Sequence, residues 1–579
     1  MDTFKEPISN IVWDLKYRYR DQGQVREHAV EETWSRVAKA VATAEKNEVA
    51  RTQWEQAFYR ILEGFRFLPG GRILAGAGTD HTVTLFNCFV MNIAEDSLVS
   101  IFDALREGAL TLQQGGGVGY DFSILRPKGD LVKKTGIPSS GPISFMRIWD
   151  TTCGVLLSTG ARRGAMMGVL RCDHPDIEEF IEEKANPHEF RHFNVSVMIS
   201  DAFMEAVYQG ADWPLVFEGR LYRQVKARDL WRKIIDSAYH YAEPGVLFSD
   251  TINRLNNLWY CERIVATNPC GEIPLPPYGA CNLGAINLTQ FITAPFTPQA
   301  ALNWAEIEET IRIATRFQDN VIDVSLYPLP AQRKQAEGTR RIGLGLTGLA
   351  DVLVMLGIRY DSPESGSLSR KIIKKIAEVT WQTSIELAQE KGVFPFFHKD
   401  YLRGEFVRTL DDSIQRDLAR YGVRNSHHNT IAPTGTISLL ANNVSNGIEP
   451  IFKPEYVRHM RFAENTRTFR VKDYALRVWQ AGKHEGLPPA WVDTDTLMPE
   501  AHLQIQGAMQ PYIDNAISKT INIPVDFPFE KLVDVYTQAY KLGLKGCTIF
   551  RPNPVTGSVL EGGAKAEEPP VDDHCCPCE

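Results

Sequence analysis

The sequence predicts an α/β protein, with a helical region before the α/β body and a flexible tail after it. Three observations carry that prediction. Between Phe67 and Arg551, short apolar runs such as Leu85 to Met91 alternate with amphipathic stretches such as Leu98 to Gln113. A sheet covered by helices needs that alternation of two periodicities. Residues 1–66 carry helical periodicity and many charges, as in Glu31 to Arg66. Beyond Arg551, Pro, Gly and acidic residues replace nearly all bulky apolar side chains, a composition that cannot bury enough surface to order itself. The chain divides accordingly into a helical region (1–66), an α/β body (67–551) and a tail (552–579).

Composition narrows the classes of function. With 579 residues, 44% hydrophobic and 23% charged, the chain has an ordinary globular balance and room for a large core. A formal net charge of -8 favours neither a nucleic-acid polymer nor an anionic membrane surface as partner. Met1 to Glu6 mixes charges and shows no apolar segment of a secretory signal. The longest apolar stretch, Ile342 to Ile358, is interrupted by Asp351. It falls short of the ~20 residues of a membrane helix, and a buried helix is expected there. Ten cysteines, unevenly spaced, are too few for a disulfide scaffold, which fits a reducing cytoplasm.

Along the α/β body, the first chemical signal is Cys88 in the apolar run Phe86-Asn87-Cys88-Phe89. The cluster Gln114-Gly115-Gly116-Gly117-Val118-Gly119 lacks the strand–turn–helix context of a dinucleotide fingerprint. Its glycines suit close approach of backbone to a flat ligand. Arg126 to Asp130 and Thr159 to Ala165 read as basic, Gly-bearing loops. Asn268-Pro269-Cys270-Gly271-Glu272 is the densest signal. In an extended loop, residues i, i+2 and i+4 share a face, so Asn268, Cys270 and Glu272 would lie together. A second thiol, Cys281, follows in Ala280-Cys281-Asn282-Leu283. Taken singly, each of these cysteines reads as a small buried hydrophobe.

Pro433-Thr434-Gly435-Thr436-Ile437-Ser438 leads a Pro/Gly/Thr turn into the apolar run Ile437 to Ala441. Such a turn can cradle a phosphate with backbone N–H groups and hydroxyls, and a simple capped helix explains the hexapeptide equally well. Asn446-Gly447-Ile448-Glu449-Pro450 follows closely. The chain closes on Cys575-Cys576-Pro577-Cys578-Glu579, with His574 before it. Either a dithiol (575/578 or 576/578) or a zinc site is open there, although ligands so close together fit one tetrahedral ion poorly.

As a set, these segments resemble ribonucleotide reductase, over about Phe67 to Arg551. Lys545-Gly546-Cys547-Thr548-Ile549-Phe550-Arg551 and Pro433 to Ser438 look like the adenosylcobalamin-dependent, class II, branch. There is no Tyr-Tyr pair of the kind that relays a radical from a di-iron subunit. No Arg-Val-x-Gly-Tyr glycyl-radical tail and no Asp-x-His-x-x-Gly cobalamin motif is present either. The resemblance implies a ten-stranded α/β barrel in two parallel halves, with Cys270 on a central loop.

It further implies a radical on Cys270, Glu272 as base, Asn268 as positioning group, and Cys88 with Cys281 as the redox pair. The implied substrate contacts are Asn87, Cys88, Gly117, Asn268, Pro269, Cys270, Gly271, Glu272, Pro433, Thr434, Gly435, Thr436 and Ile437. Asp96, Ser97, Leu98, Arg126, Lys133 and Arg162 would hold a deoxynucleotide or ATP effector, with Lys133 standing where some members carry Arg. No metal is expected on these residues.

The implied activity is reduction of ribonucleotides, in the diphosphate-using and dimeric branch, to 2′-deoxyribonucleotides. Adenosylcobalamin would be the cofactor, and Cys575 and Cys578 would carry electrons from thioredoxin or glutaredoxin. Pro69-Gly70-Gly71-Arg72 departs from the family by lacking hydroxyl side chains near the phosphate. A di-iron-dependent catalytic subunit and a non-catalytic nucleotide-binding regulator are the alternatives.

Overall fold

The structure, a computed structural model, describes residues 3–132, 135–158, 162–186, 189–462, 465–552 and 560–561. Its body is a closed barrel. Five strands run parallel to their neighbours in one half: β1 (Cys88–Val90), β2 (Gly117–Asp121), β3 (Met166–Arg171), β4 (Phe193–Ile199) and β5 (Gly245–Phe248). The second half is built from β6 (Ala280–Asn287), β7 (Ile342–Thr347), β8 (Thr520–Asn522) and β9 (Gly546–Phe550). An extended segment, 427–431, closes the gap in that half. It bridges β7 in parallel at Leu344 and Asn429, and bridges the run into β8 at Ile431 and Ile517.

The halves meet antiparallel at two seams, β6 with β1 and β5 with β9. Ten staves in two parallel halves result, as the resemblance implies. Closure leaves no open edge in the barrel wall. An additional short strand, Phe67–Pro69, pairs antiparallel with β6 at Gly284–Ile286, beyond the stretch that pairs with β1.

Inside the barrel stands a finger, the hairpin of Ala266–Thr267 and Pro274–Leu275. Both halves hold it. Asn194 Nδ2 on β4 donates to the Pro269 carbonyl at 2.8 Å. From the other half, Thr430 Oγ1 and the Ala516 N–H each donate to the Glu272 carbonyl at 2.9 Å. Gly119 lets the finger approach β2, because a Cβ there would lie 1.8 Å from the Thr267 carbonyl oxygen.

Three helices, α1 (Pro7–Lys16), α2 (Val30–Ala42) and α3 (Glu48–Leu62), form the N-terminal region. Trp34, Val37 and Val41 are buried on one side of α2, with Glu31 and Glu32 in its first turn, the amphipathic pattern its sequence carries. Glu45 anchors this region to helix α6 (Trp304–Val324), which follows α4 (Leu98–Gln113) and α5 (Gly141–Val155) along the chain. Arg316 of α6 donates to both Glu45 oxygens, at 2.8 and 2.7 Å. Burial pushes the Glu45 carboxyl up, but Arg316, Asn320 and Lys391 overcome it and hold it at about 2.

The expectation for Ile342 to Ile358 needs correction. That stretch is barrel strand β7 followed by a short helix, α7 (Leu349–Met355), and both are buried. A Cβ at Gly345 would sit 2.2 Å from the Thr430 carbonyl oxygen. Alternate glycines let segment 427–431 come against β7, and Gly348, with φ +78°, starts the helix. No helix among the described residues is long and apolar enough to cross a membrane.

Candidate active site

A cavity of about 130 Å³ opens around the tip of the finger. The tip is a turn and not the extended loop expected for residues 268–272. Pro269 enters the turn and Gly271 bends it at φ +81°. Asn268 Oδ1 accepts from the Ile273 N–H at 2.9 Å, and the Gly271 N–H donates to the Asn268 carbonyl at 3.1 Å. The turn still brings Asn268, Cys270 and Glu272 to one cavity. Gly271 does not line it, and serves the bend.

Cys88 and Cys281 are separated by most of the first barrel half, yet they face each other as register partners across the β1–β6 seam. Directly opposed residues on antiparallel strands have Cα atoms about 4.5–5.5 Å apart, inside the range a disulfide needs. Both thiols are free and buried. Burial, then the Glu272 charge, raise Cys88 well above the ordinary thiol range. Burial likewise raises Cys281, and Arg341 pulls it part of the way back. Two protonated thiols side by side can release two electrons and two protons as they join.

Glu272 is fully buried, and burial lifts its carboxyl to about 7, against hydrogen bonding from Asn268 that lowers it. Its Oε1 lies 3.8 Å from Cys88 Sγ. Its Oε2 is buried with no hydrogen-bond partner among the described residues. A buried carboxylate oxygen left unpaired costs free energy unless a ligand satisfies it. A base near neutrality beside a half-buried thiol, Cys270, can accept a hydroxyl proton at the carbon from which a thiyl radical takes hydrogen.

The Pro433 to Ile437 turn lines the same cavity. Thr434, in the left-handed region at φ +57°, precedes the short helix α8 (Gly435–Leu440), whose first-turn N–H groups have no intrahelical acceptors. Thr434 Oγ1 lies within 2.9 Å of Thr347 Oγ1 and 3.0 Å of Ser438 Oγ, and accepts from the Gly447 N–H at 2.8 Å. The Asn446 to Pro450 motif thus braces the cradle from behind. Glu449 itself turns away to pair with Lys519 and the Thr520 N–H. Asn87 and Gly117 also line the cavity, as do Gly70, Gly71 and Arg72. The hydroxyl-free Pro69 to Arg72 segment therefore contributes backbone and one guanidinium.

The effector candidates lie elsewhere. Arg126 Nε pairs with Asp96 at 2.6 Å, and Ser97 caps α4 by accepting from the Ser100 N–H. Leu98 is exposed. Arg162 belongs to a two-residue strand paired with Leu157–Ser158, and Gly164 and Ala165 just after it reach the cavity wall. Lys133, Cys575 and Cys578 lie outside the described residues. Sequence reasoning missed Asn194, Thr347 and Thr430, whose roles depend on which strands become neighbours. It also missed Tyr17, which lines the cavity, and Lys16, whose Nζ lies 3.5 Å from Thr436 Oγ1.

The family model described as "Ribonucleotide reductase, barrel domain" matches residues 86–550, and "Ribonucleotide reductase, all-alpha domain" matches residues 7–82. A vitamin B12-dependent ribonucleoside-diphosphate reductase from Mycobacterium tuberculosis is 38% identical, over 95% of this chain and 80% of its own. One of the same name from Thermoplasma acidophilum is 36% identical, over 89% of this chain and 67% of its own. A ribonucleoside-diphosphate reductase subunit alpha from Chlamydia pneumoniae is 29% identical, over 90% of this chain and 57% of its own.

Proposed function

Because the chain belongs to the ribonucleotide reductase family, we propose that it reduces ribonucleotides to 2′-deoxyribonucleotides, DNA precursors, with adenosylcobalamin as cofactor. The observation that carries this reading is the convergence of Cys270, Glu272 and the facing pair Cys88 and Cys281 at one cavity. A nucleotide-binding regulator has no use for a redox pair so placed.

The residues suit the cofactor. Gly115, Gly116, Gly117, Gly164 and Ala165 all line the cavity, so this wall is backbone with almost no side chain. A broad planar group can come up against it beside the half-buried Cys270 thiol. When bound, the cofactor supplies the one-electron oxidation that removes the hydrogen atom of that thiol.

The Cys270 sulfur then takes the 3′ hydrogen of the ribose, while Glu272 accepts the 3′-hydroxyl proton. Asn268 holds the carboxylate in register through its hydrogen bond. Cys88, kept protonated by burial, gives its proton to the 2′-hydroxyl, which leaves as water. Cys88 and Cys281 end as a disulfide, having supplied two electrons and two hydrogens, Glu272 returns its proton to the 3′ oxygen, and Cys270 gives the hydrogen it took back to C3′ and is left as the radical again. The phosphates sit in the Pro433 to Ile437 cradle, with Asn87, Gly117 and Pro269 along the sugar and base.

The finer parts of the proposal have separate supports. Diphosphate substrates are indicated by the names of the relatives. A deoxynucleotide or ATP effector at Asp96, Ser97, Leu98, Arg126, Lys133 and Arg162 is supported by the Arg162 strand leading directly to Gly164 and Ala165 at the cavity wall. Leu98, Val99 and Phe102 on α4 are exposed, as are Ile148 and Val155 on neighbouring α5. An apolar face of that kind supports a homodimer. Thioredoxin or glutaredoxin, acting in the cytoplasm through Cys575 and Cys578, would reopen the buried disulfide.

Purified protein assayed with and without adenosylcobalamin tests the main claim. Turnover should require it, and Cys270→Ser should abolish turnover while nucleotide affinity changes little, since an O–H bond is too strong to exchange with a ribose C–H. Turnover that ignores cobalamin and needs a second protein would favour the di-iron-dependent alternative.

A further inference from the structure

We infer that the N-terminal helix α1 is part of the substrate site, and that Lys16 is a specificity-determining residue that reads the terminal phosphate of the ribonucleotide. This inference rests on the placement of substrate phosphates in the Pro433 to Ile437 cradle.

Helix α1 is held at its start by the residues that follow α8. Asn442, at the end of α8 and in the left-handed region with φ +65°, accepts from the Lys5 and Glu6 N–H groups at 2.6 and 3.3 Å and donates to the Thr3 carbonyl at 3.1 Å. Ser9 Oγ donates to the Leu439 carbonyl at 2.6 Å. Arg477 closes the clamp, donating to Glu6 Oε1 at 2.7 Å and to the Asn442 carbonyl at 2.8 Å. The start of α1 is therefore fixed beside the end of α8, so the two helices run antiparallel.

Antiparallel packing brings the end of α1 to the start of α8. There Lys16 Nζ lies 3.5 Å from Thr436 Oγ1, and the next residue, the buried Tyr17, lines the cavity. An ammonium group on a flexible stem beside the Pro433 to Ile437 turn is suited to a multiply charged phosphate, for which it acts as a point charge. Lys16 meets the cradle at Thr436, whereas the sugar would lie at Cys270 and Glu272, so the part of the substrate it reads is the terminal phosphate.

The test uses the full chain with Lys16→Met, Lys16→Arg and, as a separate arm, Thr436→Val. Affinity for a ribonucleoside diphosphate and for the corresponding nucleoside is measured by calorimetry without cobalamin, and KM and kcat are measured with it. Lys16→Met should weaken diphosphate binding and raise KM about tenfold to a hundredfold, the range for losing one charge-assisted hydrogen bond. kcat and nucleoside affinity should change less than twofold, the signature of lost ground-state binding. Lys16→Arg should restore most of the affinity. Equal weakening of diphosphate and nucleoside would mean that Lys16 only supports the fold, and would overturn the inference. A silent Lys16→Met beside a Thr436→Val that raises KM would overturn it while leaving the cradle intact. If both are silent, the cradle placement fails and the inference with it.

Discussion

At the scale of single residues, the chemistry turns on Glu272. Its carboxyl titrates near 7 in place of 4.5, because burial disfavours the charged form. The base form is populated only above that value, so kcat/KM should climb with pH through about 7 and then level. Stability should move the other way. The folded state binds the Glu272 proton more tightly than the unfolded chain. Its stabilising effect is complete below about pH 4.5 and is lost as pH rises to about 7, a loss on the order of 3 kcal/mol. Glu272→Gln should be inactive and should flatten this part of the stability–pH curve, which denaturant titrations at pH 4.5 and 8 would read. An unchanged pH slope in the variant would mean that another group is responsible.

At the scale of elements, the finger matters more than any side chain it carries. Nothing inside residues 266–275 fixes its position. It is held by Asn194 and Gly119 from one half of the barrel and by Thr430 and Ala516 from the other. Gly119→Ala places a carbon 1.8 Å from the Thr267 carbonyl oxygen, and backbone has to move. We expect a cost of roughly 1–3 kcal/mol in stability from overpacking. A loss of at least tenfold in kcat should accompany it, because a small displacement of Cys270 spoils the reacting geometry. A variant with wild-type kcat would show that the finger tolerates displacement. The same close approach explains why Ile342 to Ile358 misleads as a sequence. Its glycines break a helix pattern weakly, but they are indispensable for backbone contact between β7 and segment 427–431.

At the scale of the whole molecule, the redox pair is sealed. Cys281 is fully buried and Cys88 nearly so, and a folded reductase cannot reach them, whereas a small dithiol can. Changing Cys575 and Cys578 together to Ser should stop turnover driven by thioredoxin and largely spare turnover driven by dithiothreitol. Equal loss with both reductants would eliminate the shuttle. A stoichiometric zinc ion lost in the double variant would put the metal site in its place.

The alternation of strand and helix periods, the amphipathic N-terminal helices and the chemistry-bearing types at 88, 268, 270, 272 and 281 are written in the sequence, because local periodicity and side-chain chemistry need no partner to exist. The amphipathic stretch Leu98 to Gln113 is helix α4 over the same residues. What joins them is not local. That Cys88 faces Cys281 depends on the antiparallel seam between β1 and β6. The orphaned Glu272 oxygen depends on complete burial, and the approach of Lys16 to the cradle depends on α1 lying antiparallel to α8. Such juxtapositions arise only when a barrel closes, since closure, and not spacing along the chain, decides which distant backbones become neighbours.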